Sequence, residues 1–174
     1  ALESAELVRL AIVDGDNLVF VAKAQGATRG LRYDPDMGLS VRLSCSAAGH
    51  AWLSTLDDEV AVQKVSRQGF GSPSAFGPKA PTTVKALLAF VQSARKRGYA
   101  TISEVFAPAM SSMAAPVVAN GVTIGVVTIA GPSVRLDETR MKRLSGALIE
   151  AAQELAALST ASVFFRRKPA ATDG

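Results

Sequence analysis

The sequence predicts an α+β domain, in which one antiparallel sheet is flanked by helices. β-branched, partly alternating runs lie near both ends of the chain, at 7–24 and 113–131, and each contains a tight-turn signal. Helical patterns occupy the region between them, and a long amphipathic segment follows the second pair. Because tight hairpins join antiparallel strands, this order favours an antiparallel sheet with helices packed against it.

Length and composition favour a single globular domain. The chain has 174 residues, of which 48% are hydrophobic and 20% are charged, close to the average for soluble domains. Its lone cysteine, Cys45, excludes an internal disulfide framework and is typical of a reducing compartment. Because there is no long apolar run and no signal-peptide core at the start, we expect a cytoplasmic protein without a membrane span.

The net charge of +4 comes mainly from three basic clusters, at 94–98, 140–143 and 164–169. Such clusters can contact phosphates, but they are more often solvated helix faces and tails. No zinc finger, aromatic RNA-binding platform or helix-turn-helix pattern accompanies them. If the protein acts on DNA, we therefore expect the DNA-reading domain to lie outside this chain.

The first part of the chain predicts a hairpin and then extended chain. Strands over 7–15 and 17–24 meet at Gly15-Asp16, a residue pair that suits a tight turn. The stretch 30–43 places proline and glycine between apolar pieces. This pattern indicates a short strand, a turn and a second extended piece.

Three helices follow. The alanine-rich stretch 46–56 is compatible with a short helix, and 57–68 opens with aspartates that suit a helix N-terminus. After a loop rich in glycine and proline at 69–81, Thr82 can cap a third helix. Gly98 is well placed to end that helix.

The last part of the chain returns to strands. The stretch 99–106 alternates like a strand, and Asn120-Gly121 suits a type I′ turn within the clearest hairpin. Asp137 can cap a final amphipathic helix. The intervening "MSSM" (110–113) is small, uncharged and dotted with hydroxyl groups, and we expect it to form a loop beside the apolar strand.

Three motifs, in order, resemble IclR-type transcriptional regulators. They are "LSCSAAGHAWLS" (43–54), "ARKRGYATISEVFAPAMSSMAAPV" (94–117) and "GVVTIAGPSVRL" (125–136). The resemblance implies a C-terminal effector-binding domain with a GAF-like fold over 1–165, followed by a flexible basic tail over 166–174. It also implies that the N-terminal winged helix-turn-helix, which would bind operator DNA, is absent from this chain.

The resemblance further implies a small-molecule pocket between the sheet and a crossing loop. This sequence has a counterpart for each pocket position of the family. These positions are two small turn residues, a pocket-floor residue, a hydrogen-bonding residue, an acidic strand position and two late-strand hydroxyl positions. A further apolar wall is expected from the stretch 31–41. The residues implied are Ala47, Ala48, Met110, Ser112, Ile102, Thr128, Ala130, Leu31, Tyr33 and Val41.

Departures from the family pattern narrow the range of effectors that we expect. Members that respond to glyoxylate or pyruvate have an acidic residue and two serines where this chain has Ile102, Thr128 and Ala130. Burying a carboxylate without donors costs several kcal/mol, which disfavours a small, highly polar keto acid. We expect a partly apolar acid, an aromatic compound or a lactone, held by Ser112, Thr128 and backbone amides, with no cofactor and no metal.

The resemblance implies dimers, and tetramers built from them, whose binding of operator DNA changes with the effector.

Two other functions stay open. The chain could be an assembly module with a filled core, or an enzyme on a GAF-like scaffold. Cys45 and His50 would be the nucleophile and base of such an enzyme, but Cys45 is better explained as a small buried residue. The loop at 69–77 lacks the lysine and hydroxyl residue of a phosphate-binding loop.

Overall fold

The computed structural model describes residues 1–35, 37 and 40–159 and contains one five-stranded sheet with helices on both faces. The predicted basic tail at 166–174 lies outside the described residues. The elements in chain order are β1 (Leu7–Asp14), β2 (Asn17–Gln25), α1 (Ala47–Leu53), α2 (Asp58–Gln68), α3 (Val84–Arg97), β3 (Ala100–Ser103), β4 (Met110–Ala119), β5 (Val122–Pro132) and α4 (Glu138–Ala157).

The strand order in the sheet is β2-β1-β5-β4-β3, and every neighbouring pair is antiparallel. Two hairpins, β1–β2 and β4–β5, therefore lie side by side and are joined through β1 and β5. Gly15 and Asn120-Gly121 have positive φ angles at the two turns, as these tight turns require. Both hairpins predicted from the sequence are confirmed.

Helices cover both faces of the sheet. On one face, α1, α2 and α3 bury a core that includes Trp52, Val65 and Leu87. On the other face, α4 packs Leu144 and Leu148 against the apolar residues of β4 and β5. The predicted α+β architecture, a central antiparallel sheet flanked by helices, is confirmed.

Capping side chains fix most helix starts. Oγ of Ser46 accepts a hydrogen bond from the Gly49 amide at the start of α1, and Asp137 caps α4 in the same way. Thr83, not the predicted Thr82, caps α3. Gly98 ends α3 in the left-handed conformation, as predicted.

One element prediction was wrong, and two agree with the structure only in part. Residues 110–113 form the start of β4, where they pair with β3 on one side and β5 on the other. The predicted strand began only at Met113. Pro116, which the prediction included in the strand, lies beyond the part of β4 that β3 covers, where a proline is tolerated. The predicted strand at 99–106 ends at Ser103. Within 30–43, the described residues make only a single bridge, between Ser40 and Val19.

An ion pair ties the segment before β1 to the segment that follows the neighbouring strand β5. The buried Glu6 carboxylate accepts two hydrogen bonds from Arg135, at 2.6 and 2.9 Å, in a forked arrangement. The same guanidinium donates to the Leu31 carbonyl oxygen at 2.8 Å. The connection between β2 and α1 is thereby anchored beside the sheet.

Candidate functional site

A cavity of about 240 Å³ lies on the sheet face that carries α1. All five strands contribute to its lining, and the connection between β2 and α1 forms a further wall. Part of the cavity opens to solvent. The lining residues are Arg9, Phe20, Tyr33, Pro35, Ser40, Val41, Arg42, Ser46, Ala47, Ala48, Phe76, Ile102, Phe106, Met110, Ser111, Ser112, Thr128 and Ala130.

Nine of the ten residues expected to bind an effector line this one cavity. The exception is Leu31, whose side chain is 69% exposed and is not part of the lining. Its carbonyl group instead accepts the hydrogen bond from Arg135. The geometry thus brings the expected residues together, and their role in binding stays a prediction.

The floor of the cavity follows the register of the sheet. Ile102, Ser112 and Ala130 lie opposite one another on β3, β4 and β5. Arg9 and Thr128 form part of the next row, on β1 and β5. Because side chains two residues apart share a face, both rows project towards the same space.

Two hydroxyl groups lie on this floor with different hydrogen bonds. Oγ1 of Thr128 donates to the Arg9 carbonyl oxygen at 3.4 Å, a long contact. The hydroxyl group of Ser112 has no hydrogen-bond partner among the described residues, which leaves it free for a ligand. Ser111 is different, because its hydroxyl group bonds to Ser103 and Ser133.

The N-terminal end of α1 closes another side of the cavity. Ala47 and Ala48 are both buried there, and their small side chains keep the space open. α1 also packs tightly against the chain before it, because a side chain on Gly49 would collide with the backbone of Leu43.

Sequence reasoning missed the cationic part of the lining and three of its aromatic residues. Phe20, Phe76 and Phe106 add ring faces to the walls, and Arg9 and Arg42 add two guanidinium groups. Arg9 could have been found, since it lies between Leu7 and Ala11 on one face of β1 and both of these neighbours are buried. A charged residue at such a position faces inwards.

The two arginines differ in their partners. Arg42 donates from Nη1 to the carbonyl oxygens of Gln68 and Gly69, at 3.1 and 3.3 Å. Arg9 stacks its guanidinium carbon 3.7 Å from the centre of the Phe20 ring, and its buried Nε has no hydrogen-bond partner among the described residues. Burial lowers the pKa of the Arg9 guanidinium, an effect that Tyr33 opposes.

Cys45 and His50 lack the properties of a nucleophile and its base. Burial raises the pKa of the Cys45 thiol to about 11, so the thiol is protonated at neutral pH. The expectation that Cys45 is a small buried residue is confirmed. His50 directs Nε2 to the Ser44 carbonyl oxygen at 2.8 Å. Within the part of the chain described, no group of three or more His, Cys, Asp or Glu side chains is placed to hold a metal ion.

An α+β domain with a side-chain-lined cavity on one sheet face is an arrangement common among domains that bind small molecules. Over residues 1–157 the chain matches the family described as "Bacterial transcriptional regulator IclR C-terminal". The chain therefore belongs to the IclR family through its C-terminal domain, as its three motifs predicted. This family is regulatory rather than enzymatic.

Two curated relatives show the extent of the match. The chain is 28% identical to the HTH-type transcriptional regulator BhcR of Paracoccus denitrificans over 156 residues, covering 87% of this chain and 53% of BhcR. It is 26% identical to the transcriptional repressor IclR of Escherichia coli over 155 residues, covering 88% of this chain and 56% of the repressor. The chain thus spans about half the length of both relatives.

Solved structures share the fold. The inducer-binding domain of PobR from Acinetobacter, a double mutant in complex with 3-hydroxybenzoic acid, superposes with a TM-score of 0.74 at 20% identity, covering 88% of this chain and 89% of that one. An IclR homologue from Microbacterium hydrocarbonoxydans, in complex with 4-hydroxybenzoate, gives a TM-score of 0.73 at 19% identity, covering 92% of this chain and 63% of that one.

No helix within the described residues has the length and apolarity to cross a membrane.

Proposed function

We propose that this chain is the effector-binding domain of an IclR-type transcription regulator and that its cavity holds the effector. The observation that carries the proposal is an open cavity of about 240 Å³ where an assembly module would have a filled core. Pockets for drug-sized ligands are roughly 300–1,000 Å³. The cavity therefore suits a smaller molecule.

The effector that fits best is a partly apolar acid, an aromatic compound or a lactone. Aromatic and aliphatic walls surround the cavity, and the hydroxyl groups of Ser112 and Thr128 lie on its floor. The two neighbouring structures that hold hydroxybenzoates support this class, since each has the same fold. Ala47, Ala48, Ile102, Met110 and Ala130 would surround the body of the molecule.

Operator binding would belong to a part of the protein outside this chain. The relatives, one named an HTH-type transcriptional regulator and one a transcriptional repressor, extend to about twice the matched length. This supports a division between residues 1–165 as the sensing domain and a separate winged helix-turn-helix. The domain would pair into dimers and tetramers in the cytoplasm, where the operator lies. An effector changes operator binding only if two assembly states bind it with different affinities.

A thermal-shift panel tests the proposal. Aromatic acids, short acyl acids, lactones and small keto acids would be added to the purified domain. A partly apolar acid or lactone at about 100 times its Kd stabilises the fold by about 2.7 kcal/mol, which raises Tm by about 5–10 °C. Ser112→Ala should reduce this rise, because the cavity then loses its unpaired hydroxyl group.

The matched control is Ser145→Ala on α4, which removes a serine hydroxyl group from the opposite side of the sheet. It should leave the ligand-induced rise unchanged. A response confined to glyoxylate or pyruvate would contradict the proposed effector class. The absence of any response would favour the assembly module.

A further inference from the structure

We propose that Arg9 is the anion-recognising residue of the cavity and that the effector is a carboxylate joined to an aromatic or similarly flat apolar body. This inference rests on the proposed function, because it assigns the charged contact within the same site. It also changes the expectation from sequence, in which only hydroxyl groups and backbone amides were available to hold the polar end.

Arg9 is held in place from two sides. It lies on β1 opposite Thr128 of β5, so its backbone is fixed within the sheet. Its guanidinium carbon lies 3.7 Å from the centre of the Phe20 ring and 5.8 Å from the centre of the Tyr33 ring. Stacking on Phe20 orients the guanidinium within the cavity lining. Burial lowers the pKa of the guanidinium, and the neighbouring Tyr33 side chain raises it through charge and hydrogen bonding.

The charge of Arg9 has no acidic partner among the described lining residues, none of which is an aspartate or glutamate. Its Nε is buried without an acceptor in the same part of the chain. The other arginine of the lining, Arg42, is satisfied by two carbonyl oxygens. A buried cation without a charged partner is costly, and a carboxylate in the cavity would reduce that cost by pairing with the part of the guanidinium that lines the cavity.

A carboxylate suits this donor better than a hydroxyl or carbonyl group does. Guanidinium nitrogen atoms form a fork that matches the two carboxylate oxygens, and such charged pairs are stronger than neutral hydrogen bonds. Arg135 shows the same forked geometry elsewhere in this fold, on the Glu6 carboxylate.

The residues at the end of the cavity away from Arg9 determine the polarity expected for the rest of the ligand. Ile102 on β3 and Phe106 in the following loop lie at the opposite edge of the sheet from Phe20. Met110 at the start of β4 adds a further apolar surface. A molecule with its carboxylate on Arg9 would therefore place an apolar body across β5 and β4 towards β3.

Isothermal titration with 4-hydroxybenzoate and its neutral analogue 4-hydroxybenzamide tests the assignment. The wild-type domain should bind the acid roughly 10- to 150-fold more tightly than the amide, the range for a charged hydrogen-bonding pair. Arg9→Met keeps an apolar side chain on Phe20 and removes the charge. It should weaken binding of the acid by about the same factor and change binding of the amide by less than about threefold. The charge-matched control, Arg143→Met on the exposed side of α4, should alter neither.

A stability measurement separates recognition from a structural role. Without ligand, Arg9→Met should have a Tm equal to or above that of the wild type, because an uncompensated buried charge is removed. A residue that only supports the fold would lower Tm when replaced. Should Arg9→Met fail to fold, Arg9→Lys provides the comparison, since a lysine keeps the charge and loses the fork.

The outcomes separate the two proposals. Equal binding of acid and amide by the wild type, or acid binding unchanged in Arg9→Met, would overturn the role of Arg9. Tight binding of a neutral lactone that Ser112→Ala weakens, with no binding of 4-hydroxybenzoate, would overturn it too and leave the proposed function intact. A domain that binds neither these probes nor the thermal-shift panel would overturn both.

Discussion

His50 lies wholly inside the layer between α1 and α3, where its ring stacks on Phe90 at 4.9 Å between ring centres. Nε2 lies 2.8 Å from the Ser44 carbonyl oxygen. Because a carbonyl oxygen can only accept, we assign the proton to Nε2. Nδ1 is then a buried acceptor with no partner among the described residues. Burial lowers the pKa of His50 to about 4.

This shift predicts that the domain loses stability in mild acid. The unfolded imidazole has a pKa of about 6.5, so below that pH the unfolded state binds a proton that the folded state excludes. The stabilisation is fully present above pH 6.5 and is lost as the pH falls to about 4. The loss from this one residue is about 3 kcal/mol. Urea denaturation at a series of pH values measures it.

The comparison variant is His50→Gln, in which the amide group can still donate to the Ser44 carbonyl oxygen. Its free energy of unfolding should fall less between pH 6.5 and 4, because the group that takes up the proton is gone. An identical pH dependence in the two proteins would show that other groups control acid unfolding.

Several cavity residues were predictable only through the family resemblance. Ser112, Thr128 and Ala130, which the resemblance assigned to the pocket, line the cavity. Strand alternation alone left open whether the face of Thr128 and Ala130 was core or cavity. Arg9 was missed because basic residues were considered only in clusters. A lone charge between two apolar residues of the same face was a signal present in the sequence.

Among the elements, α1 shows how a helix can depend on its surroundings for stability. It is only seven residues long, too short to be stable alone, and every one of its residues is buried. Gly49 allows the helix to lie directly against the Leu43 backbone. The position of Ala47 and Ala48 at the cavity depends on this contact.

Gly49→Ala should therefore destabilise the domain by about 1–3 kcal/mol, the range for overpacking a core. The added Cβ would meet backbone atoms of Leu43, which cannot move without shifting the chain that enters α1. The midpoint of urea denaturation gives the effect.

The matched control is Gly146→Ala in α4, where an added Cβ would meet nothing within 4 Å. This substitution should raise stability by about 0.5–1 kcal/mol, since glycine is a poor residue in a helix interior. If both variants gained stability, the close packing of α1 would be disproved.

Elements with strong local signals were predictable, and those set by distant contacts were not. The Asn120-Gly121 turn and the αL residue Gly98 are determined by local backbone chemistry. The segment from Met110 becomes a strand because β3 and β5 lie on either side of it. In the connection from β2 to α1, Gln25 donates to the Tyr33 carbonyl oxygen and Lys23 pairs with Asp34. Hydrogen-bond and ion-pair partners that lie this far apart in the chain cannot be recognised from the spacing of residues in the sequence alone.

For the molecule as a whole, the order of strands and helices was enough to predict the layers. It was not enough to show whether the space beneath α1 is empty or filled, because that depends on side-chain volumes from every element around it. Two methionines of β4 allow a direct test. Met110 is half-buried in the cavity lining, and Met113 is fully buried against the α4 side.

Met110→Ala should weaken effector binding roughly 5- to 30-fold through lost apolar contact and change stability little. Met113→Ala should cost about 2–5 kcal/mol of stability and leave the affinity of the folded domain unchanged. Titration calorimetry and urea denaturation of both variants measure the two effects. A large loss of stability in Met110→Ala without a change in affinity would favour the filled-core assembly module.

Because all five strands contribute to the cavity, ligand occupancy of the cavity also affects how fast the protein is degraded. Any partial opening that separates the β1–β2 hairpin from the rest of the sheet breaks the site, so a bound molecule must leave before a protease can reach the opened chain. The population of opened molecules then falls in proportion to ligand occupancy, and degradation that tracks this population slows with it. A cell rich in the effector would accumulate this protein through slower degradation alone, without any change in its synthesis.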